Sequence, residues 1–227
     1  MGKFFGLSAK YVLQSVYDHI YAKPFRAKIS DELTNALQFF RDRLVASLPR
    51  MINMATRHTR FILTDASFEP TLNGGIGGVL CSPDGKVEQW FQMQLKPEHI
   101  EPFMTKDQEN AIAELETLAV VMAMRIWSSV IFSQHLVFCL DNDVSRFGLI
   151  KGYSSAPGVT SLVRLASQIC EEAMILPWFL RVASPSNIAD FPSRLQKHFL
   201  LHTCDMVPEN ETLGAFEHVV NFVNRTH

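Results

Sequence analysis

Apolar and polar positions alternate along this chain with two different periods, and the change from one to the other falls near Arg60. Before it, AKYVLQSVYDHIYA carries apolar residues at spacings of three and four, the pattern of an amphipathic helix. SDELTNALQFFRDRLVASL repeats that spacing and begins with Ser30 ahead of Asp31 and Glu32, which makes Ser30 the expected N-cap. From Arg60 onward, RFILTDA, GGIGGVLCS and KVEQWFQMQL read as three short strands, with Pro83, Asp84 and Gly85 as the turn between the last two. Short connections make these an antiparallel meander. The longest helical pattern follows at about 106–128, then a strand at HLVFCLD, helices at about 143–150 and 158–174, and a strand at PWFLRVA. Strand and helix alternating in this half require parallel crossovers. NIADFPSRLQKHFL reads as helix around a proline interruption, and residues 205–227 as loop with a short amphipathic piece.

The order β-β-β-α-β-α-β-α predicts an α/β fold: a mixed five-stranded sheet, three antiparallel strands and then two parallel ones, flanked by helices and preceded by a helical appendage. The expected divisions are 1–57 for the appendage, 58–200 for the α/β domain and 201–227 for a C-terminal tail. A chain of 227 residues, 47% hydrophobic, is long enough to bury a full core. Its apolar runs, such as 117–124 and 173–180, fall short of the ~20 residues of a membrane helix, and the N-terminal stretch lacks a signal-peptide core. The expectation is an intracellular protein, cytoplasmic or nuclear, without a membrane partner.

Charge adds a gradient that the formal net charge of −2 conceals. Lys and Arg against Asp and Glu number ten and four in residues 1–60, four and ten in 61–140, and seven and nine in 141–227. A basic N-terminal segment beside an acidic centre suits a phosphate-binding arm next to a metal-binding carboxylate cluster, because each needs its own sign of charge. The four cysteines, Cys81, Cys139, Cys170 and Cys204, have no CxxC pairing, and the eight histidines form no HExxH pair, so zinc ligation is disfavoured.

The acidic centre resolves into individual candidates. Asp65 closes FILTD and Asp141 closes LVFCLD, each at the tip of a strand; neighbouring strands would bring them to one point, as a site for divalent cations requires. A strand-ending Asp also simply enters a turn. Glu114 and Glu116 lie about 200° apart around a helix axis, so they are expected to face opposite ways. Ile112, Ala113, Ala119, Val120 and Ala123 surround Glu116 on the stripe that packs on the sheet, whereas Asn110 and Thr117 flank Glu114. A carboxylate on an apolar stripe is costly unless a cation neutralises it, so Glu116 is the functional candidate and Glu114 the solvated one. Asp190 opens a helical turn after Ser186 and Asn187, the expected N-caps, where the helix dipole alone accounts for an acid.

TDAS, ELETLAVVMAM, LDNDVSRFGLIKG and SPSNIADFPSR resemble, in that order, the four acidic motifs of ribonuclease H domains in reverse transcriptases. The ending S-x-x-N-x-A-D-x-x-S-R is similar to that of DIRS and BEL/Pao-like retroelements. The resemblance covers about 60–195 and implies a ribonuclease H-like fold, with residues 1–55 as the helical end of a preceding polymerase or connection region. It further implies catalysis and metal ligation by Asp65, Glu116, Asp141 and Asp190, with two Mg²⁺ ions for which Mn²⁺ can substitute. The implied reaction is hydrolysis of the RNA strand of an RNA/DNA hybrid, in partnership with a polymerase domain of the parent protein, since this chain has no YxDD motif. Ser67, Asn142 and Arg194 are the candidate substrate contacts, the first two for the 2′-hydroxyls that distinguish RNA and Arg194 for a phosphate.

Two features depart from the pattern. Residues 178–190 hold no histidine where many family members carry one before the last acid, and His198 lies beyond the motif. Few basic residues occur between 143 and 174, where some cellular members have a substrate-binding protrusion. A second expectation is therefore a weak or inactive module with a structural or nucleic-acid-binding role. A DNA-cutting nuclease or integrase on the same fold is a third, set back by its usual three acids.

Overall fold

The backbone N–H of Leu33 donates to Ser30 Oγ at 3.2 Å, capping a helix where the sequence places its start. The computed structural model describes residues 8–21, 29–46, 59–69, 73–105, 108–196 and 198–226. The chain divides into two compact units, Met1–Thr56 and Arg57–His227, with the division among residues 47–58, outside the described ones. The first unit holds α1 (Ser8–Ile20) and α2 (Asp31–Ala46), which pack on one another.

The second unit begins with β1 (Thr59–Phe68), β2 (Gly74–Cys81) and β3 (Val87–Leu95), the expected antiparallel meander. A four-residue helix, α3 (Pro97–Ile100), and a 3₁₀ turn (Glu101–Phe103) follow and bury Ile100 and Phe103. They are too short for any periodicity to signal. The long helix α4 spans Ile112–Ile126, started by Asn110 Oδ1, which accepts the N–H of Ile112 at 2.9 Å. It is shorter at its front than the 106–128 expected, and residues 106–107 lie outside the described ones. β4 (His135–Leu140), α5 (Asp143–Lys151), α6 (Pro157–Glu172) and β5 (Leu176–Arg181) then complete the strand and helix alternation.

The sheet order is β5-β4-β1-β2-β3, with β1, β4 and β5 mutually parallel, and this is the expected mixed arrangement of an antiparallel meander joined to parallel strands. Thr59, Phe61 and Leu63 of β1 pair with His135, Val137 and Cys139 of β4. Ile62, Thr64 and Ala66 alternate with these and are buried on the face covered by α4.

Three expectations change after β5. In place of a helix around a proline, residues 184–201 hold a 3₁₀ turn, a single helical turn α7 (Asp190–Ser193) and another 3₁₀ turn (Phe199–Leu201). Leu195, at φ 59°, takes the left-handed conformation that stops α7. A sixth strand, β6 (Asp205–Met206), pairs parallel to β3, so the sheet has six strands instead of five. Two residues cannot display a period of two, which is why the sequence did not show it. The expected tail instead carries the helix α8 (Glu209–Thr226), which buries Thr212, Phe216, Val219 and Val223 against α4, α6 and β3. The opposite face of the sheet is covered by the segment carrying α7: Ala189 and Leu201 close on Val79, Cys81 and Trp90.

Among the described residues, no helix is long and apolar enough to cross a membrane.

Candidate metal centre

Parallel pairing of β1 with β4 stops at Leu63 and Cys139, and Asp65 and Asp141 each lie two residues further on. The strands are neighbours, so the acids meet. Asp65, Glu116 and Asp141 each offer a carboxylate oxygen, and these atoms lie within 4.8 Å of one another. Beyond the last β4 pair, one edge of β1 is open, and side chains take its backbone groups. The Glu116 carboxylate accepts from the backbone of Ala66, and Asn187 Nδ2 donates to the Thr64 carbonyl oxygen at 2.9 Å.

Glu116 is buried, as its place on the apolar stripe requires, and so is Glu114, against expectation. Every residue from Glu114 to Met124 is buried, because α4 is enclosed by the sheet on one side and by α6 and α8 on the others. The two glutamates still point different ways. A Cβ on Gly158, in the first turn of α6, would meet Glu114 Cγ at 2.8 Å, which places Glu114 against α6 and away from the three-carboxylate group.

Asp190 stands outside that group. Its Oδ1 accepts from Arg194 Nε at 2.7 Å, while its charge is felt at Asp65. Ser186 and Asn187 are the expected caps for this turn, but the N-cap position falls to Ala189, without a side-chain cap. Asn187 Oδ1 accepts the N–H of Ala189 at 3.3 Å while its amide turns inward to β1. Ser193, from the same turn, donates its hydroxyl to Asp65 Oδ2 at 2.5 Å. Both are buried. Neither is a site candidate from the sequence, where the only signal for them is an Asn and a Ser close to the last acid along the chain.

Ser67 donates to the Ser193 carbonyl oxygen at 2.8 Å, and Asn142 caps α5 by accepting the N–H of Ser145 at 3.1 Å. Asp143, two residues after Asp141, is held by Arg146 at 2.9 Å and by Arg181, so its carboxylate is engaged outside the group.

Enclosure sets the electrostatics. Burial pushes the Asp65 carboxyl up to about 7, helped by the charges of Asp141 and Asp190 and opposed by the Ser193 hydroxyl and Arg194. Burial also drives Glu116 well above the usual carboxylate range, reinforced by Asp65 and Asp141. Glu116 Oε2 is buried without a hydrogen-bond partner. Three acids crowded this closely repel one another unless a cation or protons sit between them, and the all-oxygen donor set suits a hard divalent ion. The residues fit such an ion.

No protein-family model matches the chain, and no curated protein matches its sequence. Among solved structures, it is similar to a ribonuclease H1 from the halophilic archaeon Halobacterium salinarum at 14% identity and a TM-score of 0.48, over 61% of this chain and 96% of that one. The N-terminal RNase H domain of a Mycobacterium tuberculosis protein is 10% identical with a TM-score of 0.49, over 71% of this chain and 98% of that one. The foamy viral protease-reverse transcriptase in complex with RNA/DNA hybrid is 11% identical with a TM-score of 0.41, over 81% of this chain and 28% of that one.

Proposed function

We propose that this chain is a metal-dependent endoribonuclease that hydrolyses the RNA strand of RNA/DNA hybrids during reverse transcription. The observation that carries this reading is the convergence of Asp65, Glu116 and Asp141 at the open edge of β1, with Glu116 Oε2 left without a partner. The order of the four acidic motifs, which resembles that of reverse-transcriptase ribonuclease H domains, supports the choice of substrate.

Asp65, Glu116 and Asp141 would hold the metal, with Asp190 joining as the fourth acid from α7. Two divalent cations, Mg²⁺ or Mn²⁺, would supply activation of the attacking water and stabilisation of the leaving 3′ oxygen. The chain's own residues do the rest. β1 and β4 fix the directions of Asp65 and Asp141, and α4 brings Glu116 to the same point. Ser67 and Asn142 sit beside Asp65 and Asp141 in sequence and are proposed to face the 2′-hydroxyls; Asn142 spends its Oδ1 on the α5 cap, which leaves its amide to donate. Arg194 would exchange Asp190 for a phosphate when the hybrid binds. The helices of residues 1–57 are proposed as the end of a connection to a polymerase domain.

The second reading, a weak or inactive nucleic-acid-binding module, is favoured by the Arg194–Asp190 ion pair, which engages the fourth acid away from the other three. Cleavage of matched RNA/DNA, RNA/RNA and DNA/DNA duplexes in Mg²⁺ separates the two. The proposed enzyme cuts the RNA of the hybrid alone; absence of hybrid cleavage in both Mg²⁺ and Mn²⁺ supports the module.

A further inference from the structure

The glycine-rich strand β2 and the last acidic motif meet at α7. A Cβ on Gly77 would lie 2.5 Å from Ser193 N and 2.8 Å from Pro192 C, and one on Gly75 would lie 2.1 Å from Ser193 O. These contacts are with backbone, which has no room to yield, so only glycine at both positions lets α7 lie flat on the sheet. That seat delivers a buried hydroxyl to the carboxylate at the centre of the site. Ser193 Oγ lies 2.5 Å from Asp65 Oδ2 and 3.0 Å from the Asp190 carbonyl oxygen. A hydroxyl has one proton to donate, and the shorter distance and the charge of the carboxylate assign it to Asp65. Ser67, on the same face of β1, returns a bond to the Ser193 carbonyl oxygen, and Asn187 holds the Thr64 carbonyl oxygen next to Asp65. Asp65 therefore hangs in a frame built from β2, α7 and its own strand.

We propose that Ser193 is a positioning residue for metal capture: by donating to Asp65 Oδ2 it fixes the Asp65 carboxylate toward Glu116 and Asp141, so that the ion meets a preformed site. This rests on the metal-site reading above. A hydrogen bond behind a ligating carboxylate is the kind of support whose loss weakens metal affinity by about 10- to 100-fold. Gly75 and Gly77 act through Ser193, which gives the GGIGG run a role in the site as well as in the sheet.

The test is Mn²⁺ binding followed by electron paramagnetic resonance on the full chain, with wild type, Ser193→Ala and Gly77→Ala. Ser193→Ala keeps the backbone of α7 and removes only the hydroxyl. The expected result is Mn²⁺ affinity weakened at least tenfold in Ser193→Ala, with hybrid KM measured at saturating metal unchanged and cleavage recovering as metal is raised. Gly77→Ala, which touches no carboxylate, is expected to show the same loss wherever it folds. Ser193→Ala binding Mn²⁺ within twofold of wild type overturns the positioning role, whatever its melting temperature. Wild type that binds no Mn²⁺ overturns the metal-site reading itself, and the positioning role with it.

Discussion

Leu63 and Cys139 are the last paired residues of the parallel β1–β4 junction, and Asp65 and Asp141 follow each of them at the same distance along the chain. The register alone therefore brings the two carboxylates abreast, and Glu116 from α4 completes a group whose oxygens lie within 4.8 Å. Consequences for stability and metal binding follow from how closed that group is.

The first concerns pH. With Asp65 raised from 3.8 to about 7 by burial, the folded metal-free protein holds more protons than the unfolded chain between about pH 4 and pH 7, so its stability falls as pH rises through that window. Glu116, pushed up by the same enclosure, acts in the same direction. At about 1.4 kcal/mol per pKa unit, the Asp65 displacement alone is worth up to about 4 kcal/mol. Metal-free Glu116→Gln should therefore melt above wild type at pH 8, with the difference closing toward pH 4. Thermal unfolding in a chelating buffer checks this, and a variant less stable than wild type at pH 8 contradicts it.

Metal addition should reverse that penalty. An ion binding only the folded state stabilises it by about 2.7 kcal/mol at a hundredfold excess over Kd. Mg²⁺ should raise the melting temperature at pH 8 and have little effect at pH 5, where Asp65 and Glu116 hold protons. Equal Mg²⁺ shifts at the two pH values would mean that the ion binds elsewhere.

The two glutamates of α4 should separate cleanly. Glu114 is buried against Gly158 of α6, outside the three-carboxylate group. Glu114→Gln is expected to cost roughly 1–3 kcal/mol of stability, as for a disturbed buried polar group, and to leave Mn²⁺ affinity within twofold. Glu116→Gln should abolish tight Mn²⁺ binding. Titration calorimetry on both decides, and the opposite assignment would make Glu114 the ligand.

The Glu114 result also shows how far the sequence carries. The strand-ending positions of Asp65 and Asp141 and the apolar neighbours of Glu116 were enough to place three acids, because strand pairing and helix phase are local in origin. Glu114 is buried, against the expectation of a solvated residue, because α4 has no solvent face along Glu114–Met124, and enclosure by α6 and α8 is a tertiary fact. Asn187 and Ser193 escaped for a related reason. A helical turn of only four residues carries no periodic signal, and their partners, Thr64 and Asp65, lie more than a hundred residues away in the chain. The strand Asp205–Met206 and the helix Glu209–Thr226 likewise gain their order from docking on β3, α4 and α6.

Metal ligation by the three carboxylates is tested by single-turnover cleavage of an RNA/DNA hybrid in Mg²⁺ by wild type, Asp65→Asn, Glu116→Gln and Asp141→Asn. The expected result is RNA-strand cleavage by wild type and a rate about 100- to 1,000-fold lower in each variant, the scale set by losing preorganised charge stabilisation at the reacting group. Cleavage by Asp141→Asn at the wild-type rate would contradict it.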